Sequence, residues 1–297
     1  MHSLTMGDLI TALEASGHVD LAQHSRLAFW RQHLGHLPVE SITEDDVDEA
    51  VSALMRRGRL RTSRNSVPQT TGQPLKPSTI GRYIGTLQGV FKFARKTKLT
   101  RRSFTPPTKG IDKPSAPVDK NKFLTYEEVE RLIKWARVLD KHWGKMPALL
   151  VLLYHTGLRI GSVKNIRWAD IDWDRQVVYV PTTKNGEPIT SPLTRRAIDE
   201  LVKLKKGHAD DLVFANRRGE PYHHRRLWQQ VAEAAGLPKV TAHWLRHSCG
   251  TEMAQAGCSQ PQIMAQLGHK TLTASARYMH SNAEYQRQAL NRVEAFK

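Results

Sequence analysis

Residues 243–247 read His243-Trp244-Leu245-Arg246-His247, inside a stretch that has a helical pattern from Arg195 onward. His243 and Arg246 are three positions apart, so an α-helix places them on the same face. An imidazole beside a guanidinium offers both a base and a cationic pocket for a reacting group. The spacing therefore predicts that this helix presents the two side chains to one site.

Three other motifs flank this one in the second part of the chain. An apolar stretch at 147–155 predicts a buried helix ended by Gly157, and Arg159 follows directly in Thr156-Gly157-Leu158-Arg159-Ile160-Gly161. In Thr183-Lys184-Asn185-Gly186, the Asn-Gly pair between β-rich runs at 177–181 and 188–192 predicts a hairpin with Lys184 at its lip. The last motif is Leu267-Gly268-His269, which Tyr278 follows nine residues after the histidine.

The charge of the chain indicates a polyanionic partner. Lys and Arg number 45 and Asp and Glu 28 among 297 residues, so the formal net charge is +17. Residues 1–55 hold two basic and nine acidic residues, net −7, whereas residues 56–113 hold fifteen basic and one acidic residue, net +14. Residues 114–297 carry a net +10. A block at +14 repels itself unless an anion neutralises it, so we expect nucleic acid first and an anionic membrane second.

The composition excludes several other classes of protein. A hydrophobic share of 39% is enough to build a core, which excludes wholesale disorder. The longest apolar run, residues 148–154, is far shorter than the roughly 18 residues that span a bilayer, so no membrane is expected. The N-terminus lacks the pattern of a signal peptide, and Cys249 and Cys258 cannot make a disulfide framework. We therefore expect a reducing, cytoplasmic location.

Helical patterns dominate the first third of the chain. Residues 44–57 carry an apolar stripe between Thr43 as N-cap and Gly58 as the end, and residues 78–95 repeat the pattern. Residues 59–76 between them are basic and irregular, and are either a mobile loop or disordered. Prolines within 105–118 predict an interdomain linker.

Three basic residues of the second of these helices fall off its apolar stripe. They are Arg82, Lys92 and Arg95. We expect them to contact DNA phosphates.

The motifs of the second part, taken in order, resemble those of the tyrosine recombinases, the phage-type integrase family. The resemblance covers residues 118–297, and the helical, basic part upstream is similar in position and size to the family's core-binding domain. It implies a mainly α fold of two domains. These are a helical core-binding domain at 1–107 that clamps DNA and, after a linker at 108–117, an α+β catalytic domain with a small antiparallel sheet at 118–297.

Three residues match the family's nucleophile and phosphate clamp. The resemblance implies that Tyr278 attacks the scissile phosphate and that Arg159 and Arg246 grip it. Two guanidinium forks fit the charge that develops on the non-bridging oxygens, and each charge-assisted hydrogen bond contributes about 1.5–3 kcal/mol. They act where a magnesium ion acts in nucleases, so no metal is expected. The phosphotyrosine keeps the energy of the broken bond, so no cofactor is expected.

The other motif residues would handle protons and the phosphate. Free tyrosine has a pKa near 10, so only about one in a thousand is ionised at pH 7, and it needs a base or a cationic pocket. His243, which matches the first histidine of its motif, is the candidate base. The resemblance implies that Lys184 protonates the leaving 5′ oxygen and that His269 hydrogen-bonds the phosphate. His247 matches the pattern as a supporting residue.

Ser162 departs from the family's pattern. The family usually has an acidic residue soon after the first arginine, as in Arg-Ile-Ser-Glu, whereas this chain reads Arg159-Ile160-Gly161-Ser162. The missing carboxylate would support Arg159 and is not the nucleophile, so its loss bears on the orientation of Arg159 and on the rate. We also expect no small arm-binding domain ahead of residue 1.

Two metal-site interpretations are rejected, and one basic cluster is ambiguous. His243 and His247 with the two cysteines fit no zinc spacing, and the acidic run at 170–174 lacks the glycine and glutamate of a calcium loop, so it predicts a turn. The cluster at 223–226 either contacts phosphate or starts a solvated helix.

The expected function is site-specific DNA recombination through a 3′-phosphotyrosyl intermediate, which integrates or excises a phage or mobile element. The expected partners are a double-stranded recombination site, further copies in a homo-tetramer on synapsed DNA, and an accessory directionality factor. The last helix, 283–296, either docks on a neighbouring subunit or packs on its own domain. Three alternatives stay open: a catalytically impaired DNA-binding protein, a chromosome-dimer resolvase and a metal-dependent nuclease.

Overall fold

The computed structural model describes residues 4–17, 19–61, 69–114, 122–141, 144–183, 186–204, 206–279, 287 and 290–291. Over these residues the chain is mainly α-helical with two small antiparallel sheets, which confirms the predicted fold class. The chain contacts divide into two compact units, Met1–Val118 and Asp119–Lys297. No helix in the described ranges is long and apolar enough to cross a membrane. The helix predicted at 283–296 lies almost wholly outside the described residues.

The first unit is a helical bundle with one short hairpin. Its elements are α1 (Met6–Ala15), α2 (Leu21–Leu34), α3 (Glu44–Arg57), β1 (Leu60–Arg61), β2 (Gln69–Thr70) and α4 (Pro77–Lys96). Thr43 caps α3 by accepting a hydrogen bond from the Asp46 amide, and Gly58 ends it with a φ of +68°. Both helices predicted from the apolar stripes are therefore present. In the basic segment between them, β1 and β2 pair antiparallel.

The core of this unit forms where α2 and α4 meet. Leu27 and Trp30 of α2 and Leu87 and Phe91 of α4 are essentially inaccessible to solvent. The indole Nε1 of Trp30 donates a 2.9 Å hydrogen bond to the carbonyl of Tyr83, so the polar edge of the ring is satisfied inside the core. This packing turns the opposite side of α4 outward.

The chain beyond α4 returns onto that helix. The side-chain amide of Gln88 donates a 3.1 Å hydrogen bond to the carbonyl of Thr108, which is buried. A Cβ at Gly81 would lie 3.7 Å from the Cβ of Lys113, which is van der Waals distance, so this segment passes close to α4. The start of the segment predicted as a linker, residues 108–113, thus packs on the first unit, and residues 115–117 lie outside the described ranges.

The second unit contains a longer run of helices and a three-stranded sheet. Its elements are α5 (Tyr126–Leu139), α6 (Lys145–Thr156), α7 (Ile160–Lys164), β3 (Ile171–Asp172), β4 (Val177–Val180), β5 (Ile189–Pro192), α8 (Arg195–Val202), α9 (Arg225–Ala234), α10 (Ala242–Gln255), α11 (Gln260–Leu267) and α12 (Leu272–Ala276). A capping box formed by Thr125 and Glu128 starts α5.

Helix α6 lies at the centre of this unit. It is apolar around its circumference, which is typical of a helix enclosed on all sides, and it packs against α5, α8 and α10. Leu149, Val151 and Leu153 are fully buried. Gly157 ends the helix in the left-handed conformation with a φ of +63°, so the chain turns sharply just before Arg159. The predicted buried helix is confirmed.

The sheet has the order β3-β4-β5, and both of its strand pairs are antiparallel. In the second pair Val177 lies opposite Pro192 and Val180 opposite Ile189, which confirms the predicted hairpin. The acidic run makes the turn between β3 and β4, where the Asp172 carboxylate accepts a 2.8 Å hydrogen bond from the Arg175 amide. The hairpin residues Lys184 and Asn185 lie outside the described residues.

Candidate active site

Helix α10 presents the central motif to one side of the second unit. Over one turn the helix passes from solvent into the core, so His243 is exposed, His247 half-buried and Arg246 only 3% exposed. Ser248 on the buried side accepts a 2.7 Å hydrogen bond from the amide of Leu124, which joins this helix to the start of the unit. The predicted common face of His243 and Arg246 is therefore present, and His247 shares it.

Arg246 connects three of the sequence motifs through its guanidinium group. Nη1 donates a 2.7 Å hydrogen bond to the carbonyl of Gly157, and Nη2 donates to the carbonyl of Leu267. Both carbonyls lie at the C-terminal ends of helices, where partial negative charge is concentrated. Burial lowers the pKa of Arg246 to about 10, and the charge of Arg159 adds to this effect. The buried cation is thus held by backbone oxygens.

Arg159 lies at the N-terminus of α7, directly after the turn that ends α6. It is half-buried, and its charge lowers the pKa values of His243, Arg246 and His269, which places it in the same site. Its carbonyl accepts a 3.0 Å hydrogen bond from the Val163 amide, whereas its guanidinium makes no hydrogen bond or ion pair within the described residues. The position of the expected carboxylate holds the half-buried Ser162, so Arg159 presents an uncompensated cation to the site.

Tyr278 lies two residues beyond α12 and reaches back to α10. Its hydroxyl is 2.8 Å from Nδ1 of His247. Its ring lies against Gly250, where an added Cβ would come within 2.8 Å of the tyrosine Cζ. Burial raises the pKa of Tyr278, and the charges of Arg246 and Arg277 oppose that rise. The hydroxyl is therefore protonated at neutral pH in the free protein.

His269 lies beside Tyr278, with its ring parallel to the tyrosine ring. The two ring planes are 6° apart, with centroids separated by 6.3 Å. Nδ1 of His269 hydrogen-bonds the hydroxyl of the buried Ser275 at 2.7 Å, so a partner on α12 orients the imidazole. Burial, followed by the charges of Arg246 and Arg159, lowers the pKa of His269 to about 4. The ring is neutral at physiological pH.

His243 and His247 form an edge-to-face pair one turn apart on α10. Their ring centroids are 4.4 Å apart and the planes are inclined by 74°. Desolvation lowers the pKa values of both, that of His247 to about 4, with positive neighbours adding to the effect. The sequence analysis predicted that His243 is the base that accepts the Tyr278 proton and that His247 has a supporting role. In the structure a hydrogen bond joins the Tyr278 hydroxyl to His247, and no spacing in the sequence distinguishes the two histidines.

The β4–β5 hairpin contacts the residues on either side of His269. The contacts are made by β5 and by the residues just before β5. The side-chain amide of Gln266 donates to the Ser191 hydroxyl at 2.9 Å, and also to the Thr156 carbonyl at 2.8 Å. Lys270 and Glu187 form a 3.0 Å ion pair. These contacts bring the hairpin that carries Lys184 close to His269, although Lys184 itself lies outside the described residues.

The three residues predicted to contact DNA lie in the first unit, whereas this site belongs to the second. Arg82, Lys92 and Arg95 are all exposed on α4. By helix geometry Lys92 lies about 80° round the axis from Arg82, and Arg95 about 140°. Arg95 instead lines a surface hollow with Lys98 and Arg102. Lys92 therefore lies between Arg82 and Arg95 around the helix, about 60° from Arg95, and Arg95 also belongs to the basic hollow.

Two further groups of side chains have no part in the site. Burial raises the pKa of the Cys249 thiol to about 12, so it is a poor metal ligand at neutral pH. No group of three or more His, Cys, Asp or Glu residues that could hold a metal occurs in the described part of the chain. In the ambiguous cluster at 223–226, His224 is half-buried at the start of α9 and its three neighbours are exposed.

The sequence profile of the phage integrase family matches residues 122–285, more than half of the chain, and this range contains every motif of the site. The chain belongs to the phage integrase family. Family membership confirms the resemblance drawn from the motifs and places the chain among the site-specific tyrosine recombinases. The roles of individual residues in this member stay predictions.

Relatives within the phage integrase family match most of the chain. The tyrosine recombinase XerC of Roseiflexus castenholzii is 28% identical over 227 residues, which cover 70% of this chain and 69% of XerC. The Tn1549 transposon integrase, solved in complex with circular intermediate DNA, covers 97% of this chain and 99% of its own, with a TM-score of 0.73 and 21% identity. A lambda integrase tetramer bound to a Holliday junction matches with a TM-score of 0.68 and 20% identity. The match covers 93% of this chain and 78% of the lambda integrase chain. These structures share the predicted fold.

Proposed function

We propose that this protein is a site-specific DNA recombinase that cleaves and rejoins strands through a 3′-phosphotyrosyl intermediate on Tyr278. The observation that carries the proposal is the placement of the Tyr278 hydroxyl, which hydrogen-bonds an α10 imidazole beside the buried Arg246. Arg159 adds a second cation to the same site. A nucleophile next to two arginines and three neutral imidazoles fits attack on a phosphodiester better than any hydrolytic triad.

Each side chain has a task in the proposed reaction. The tyrosine oxygen attacks the phosphorus while the guanidinium groups of Arg159 and Arg246 stabilise the charge on the non-bridging oxygens. In the tautomer whose Nδ1 accepts the hydrogen of the Ser275 hydroxyl, the Nε2 of His269 carries the ring proton and can donate it to the phosphate. Lys184 protonates the departing 5′ oxygen, as its match to the family motif implies. The chemistry requires neither a metal nor ATP.

Double-stranded DNA is the proposed substrate. The Tn1549 and lambda integrases of similar fold were solved on DNA, and this chain has a formal charge of +17. Because lambda integrase forms a tetramer on a Holliday junction, we infer the same assembly here from copies that are monomers when free. A directionality factor and association with cytoplasmic DNA belong to the same proposal.

Integration or excision of a mobile element is the favoured biological role. The transposon integrase covers nearly the whole of this chain, which supports this choice. The XerC relative supports the resolvase alternative. The genes that neighbour this one would distinguish the two roles, because a mobile element carries its integrase next to its own attachment site. The alternative of an impaired, binding-only protein rests on Ser162 and is tested by catalysis.

Covalent trapping tests the proposal directly. The protein is mixed in EDTA with nicked fragments of its source genome, denatured in SDS, and the DNA attached to protein is recovered and sequenced. We expect the wild type to give adducts at one or a few discrete sites and Tyr278→Phe, which removes only the hydroxyl, to give none.

The controls separate catalysis from binding. Native-gel retardation of the recovered fragments by Tyr278→Phe shows that the variant still folds and binds. Retardation by the wild type without any covalent adduct would support the binding-only alternative and contradict the proposal. Cleavage that disappears in EDTA would indicate a metal-dependent nuclease instead.

A further inference from the structure

We propose that Lys164, His224 and Arg225 form a second phosphate-binding site beside the proposed active site, and that His224 takes up a proton when a DNA phosphate binds there. The inference rests on the proposed function and adds to it a pH dependence of DNA binding. It also gives a role to the basic cluster at 223–226, for which the sequence left phosphate contact and a solvated helix start as alternatives.

The first support is a group of positive side chains without a negative partner. Lys164 is the last residue of α7 and is half-buried, and His224 and Arg225 begin α9. Burial lowers the pKa of Lys164, and the charge of the neighbouring Arg225 adds to this effect. Within the described residues neither of these two side chains makes a hydrogen bond or an ion pair. The cluster therefore offers unneutralised positive charge to an anion.

The second support is the helix end at which this charge is located. The first amide groups of α9 carry partial positive charge. His224 at the N-cap makes no side-chain hydrogen bond to them, and the first turn contains no acidic residue. Arg225 and Arg226, both exposed, add two cations at the same end. An anion bound there would stabilise the helix end and relieve the repulsion between the cations.

The third support is the surroundings of the His224 ring. The ring is half-buried and packs edge-on against Trp228, with 6.3 Å between the ring centroids. Its Nδ1 is buried and has no hydrogen-bond partner among the described residues. The ring is therefore held in place beside the cluster, and no carboxylate stabilises its protonated form.

The charges that face His224 decide its protonation. Burial and then the charge of Lys164 lower its pKa, the carbonyl of Tyr222 opposes them, and Arg225 and His223 lower it further. The imidazole is therefore neutral at physiological pH in the free protein. A phosphodiester bound by the cluster replaces repulsion with attraction and raises this pKa. The ring then takes a proton from the solvent, and no covalent bond changes.

The sign of the pH dependence follows from the two pKa values of His224. The value in the free protein lies below the usual 6.5, and the value in the complex lies above that of the free protein. Between the two values binding takes up a proton, so DNA affinity increases as the pH falls. Outside this window both states bind the same number of protons at His224, and its contribution is constant.

Helix α7 relates the second site to the proposed active site. Arg159 directly precedes this helix and Lys164 ends it, so the two residues are about 7.5 Å apart along its axis. Successive phosphates of one DNA strand are about 3.4 Å apart along the duplex axis. The cluster is therefore placed to bind a phosphate within about three nucleotides of the one that Arg159 grips.

The pH dependence is tested by fluorescence anisotropy with a duplex of arbitrary sequence, because phosphate contacts do not depend on sequence. All proteins carry Tyr278→Phe, so that binding is measured without cleavage, from pH 5.5 to 8.5. We expect His224→Asn to match its parent at pH 8.5 and to bind about three- to tenfold more weakly at pH 5.5, because asparagine takes up no proton. His208→Asn, at an exposed histidine of the same unit, should follow the parent throughout.

The phosphate contact is tested by the salt dependence of the same binding reaction. Lys164→Gln should reduce the slope of log affinity against log salt by about 0.9, since one neutralised phosphate is lost. Lys134→Gln, at an exposed lysine of α5, is the matched control and should leave the slope unchanged.

Two results would overturn the inference. One is an unchanged salt slope in Lys164→Gln, and the other is a pH curve of His224→Asn that runs parallel to that of its parent. Circular dichroism shows whether the variants fold, and His224→Gln repeats the measurement if the asparagine variant does not. Neither result bears on strand cleavage, whose failure is recognised separately as the absence of covalent adducts with the wild type.

Discussion

Gly250 packs directly against the ring of Tyr278, the proposed nucleophile. A Cβ there would lie 2.8 and 2.9 Å from two atoms of the Tyr278 ring and 3.0 Å from Leu267. Such distances are below van der Waals contact, so an alanine must displace the tyrosine or separate α10 from α11. The glycine is therefore required by the approach of the ring and not by backbone conformation.

We predict that Gly250→Ala slows covalent adduct formation at least tenfold and destabilises the protein by about 1–3 kcal/mol, because it overpacks the site. Single-turnover cleavage and denaturant unfolding measure the two effects. Gly89→Ala is the matched control, since a Cβ at that helical position meets nothing within 4 Å. Equal effects of the two substitutions would contradict the account of Gly250.

Ser162 leaves Arg159 without a carboxylate partner within the described residues. We predict that Ser162→Glu accelerates adduct formation several-fold without tightening DNA binding, because a carboxylate three residues on can orient the guanidinium. Ser162→Gln, which has the same length and no charge, should not reproduce the gain. Slower cleavage by Ser162→Glu would show that the uncompensated charge of Arg159 serves the reaction as it is.

Among the elements, β5 and the chain around His269 form the contact that relates the hairpin to the site. Gln266 pairs with Ser191, Ile189 approaches Gly268 and Glu187 pairs with Lys270, so alternate residues meet in antiparallel order. Gln266 is half-buried and bonds two elements, whereas Lys270 is exposed. The stability of this contact should therefore depend on the amide more than on the ion pair.

We predict that Gln266→Ala lowers the free energy of unfolding by about 1–3 kcal/mol, since two hydrogen bonds are lost and the Ser191 hydroxyl is left buried. Lys270→Ala should cost less than about 1 kcal/mol, as expected of a surface ion pair. Chemical denaturation of both variants measures the difference. If Lys270→Ala were the costlier change, the ion pair and not the amide would join the elements.

At the scale of the whole molecule, the histidines of the site make the folding stability depend on pH. In the unfolded chain their pKa values return to about 6.5, whereas those of His247 and His269 are about 4 in the folded protein. Above pH 6.5 both states bind the same protons. Between about pH 6.5 and 4 the unfolded chain binds more of them, so folding stability falls as the pH falls.

We predict that the wild type loses more unfolding free energy between pH 7.5 and pH 4.5 than the double variant His247→Asn, His269→Asn. Denaturant unfolding at the two pH values measures the loss within each protein, and comparing the losses cancels groups common to both, such as Glu252. Identical losses would mean that the two imidazoles are not held neutral in the folded state.

The charge distribution of the first unit predicts how DNA binding responds to salt. Each phosphate that a cation neutralises adds about −0.9 to the slope of log affinity against log salt. We predict that Arg82→Ala and Lys92→Ala each reduce that slope by about 0.9, measured by fluorescence anisotropy from 50 to 300 mM salt. Arg31→Ala is the control, because Arg31 pairs with Glu14 at 2.5 Å. An unchanged slope in both α4 variants would remove α4 from the DNA-binding surface.

The amino-acid sequence was sufficient for every feature that depends on near neighbours along the chain. Thr43 and Thr125 start helices, Gly157 ends one, and the strands on either side of Asn185 pair, because caps, left-handed turns and hairpins involve only a few adjacent residues. The common face of residues 243 and 246 follows in the same way from helical periodicity.

Contacts between residues that are far apart in the sequence could not be predicted from such local patterns. Arg246 is held by carbonyls 89 and 21 residues away, and Tyr278 meets a histidine 31 residues away. His243 and His247 share a helix face, so their positions in the sequence do not predict which of them hydrogen-bonds the Tyr278 hydroxyl. That contact depends on how the chain after α12 packs onto α10, where the Tyr278 ring meets Gly250 and lies parallel to the ring of His269.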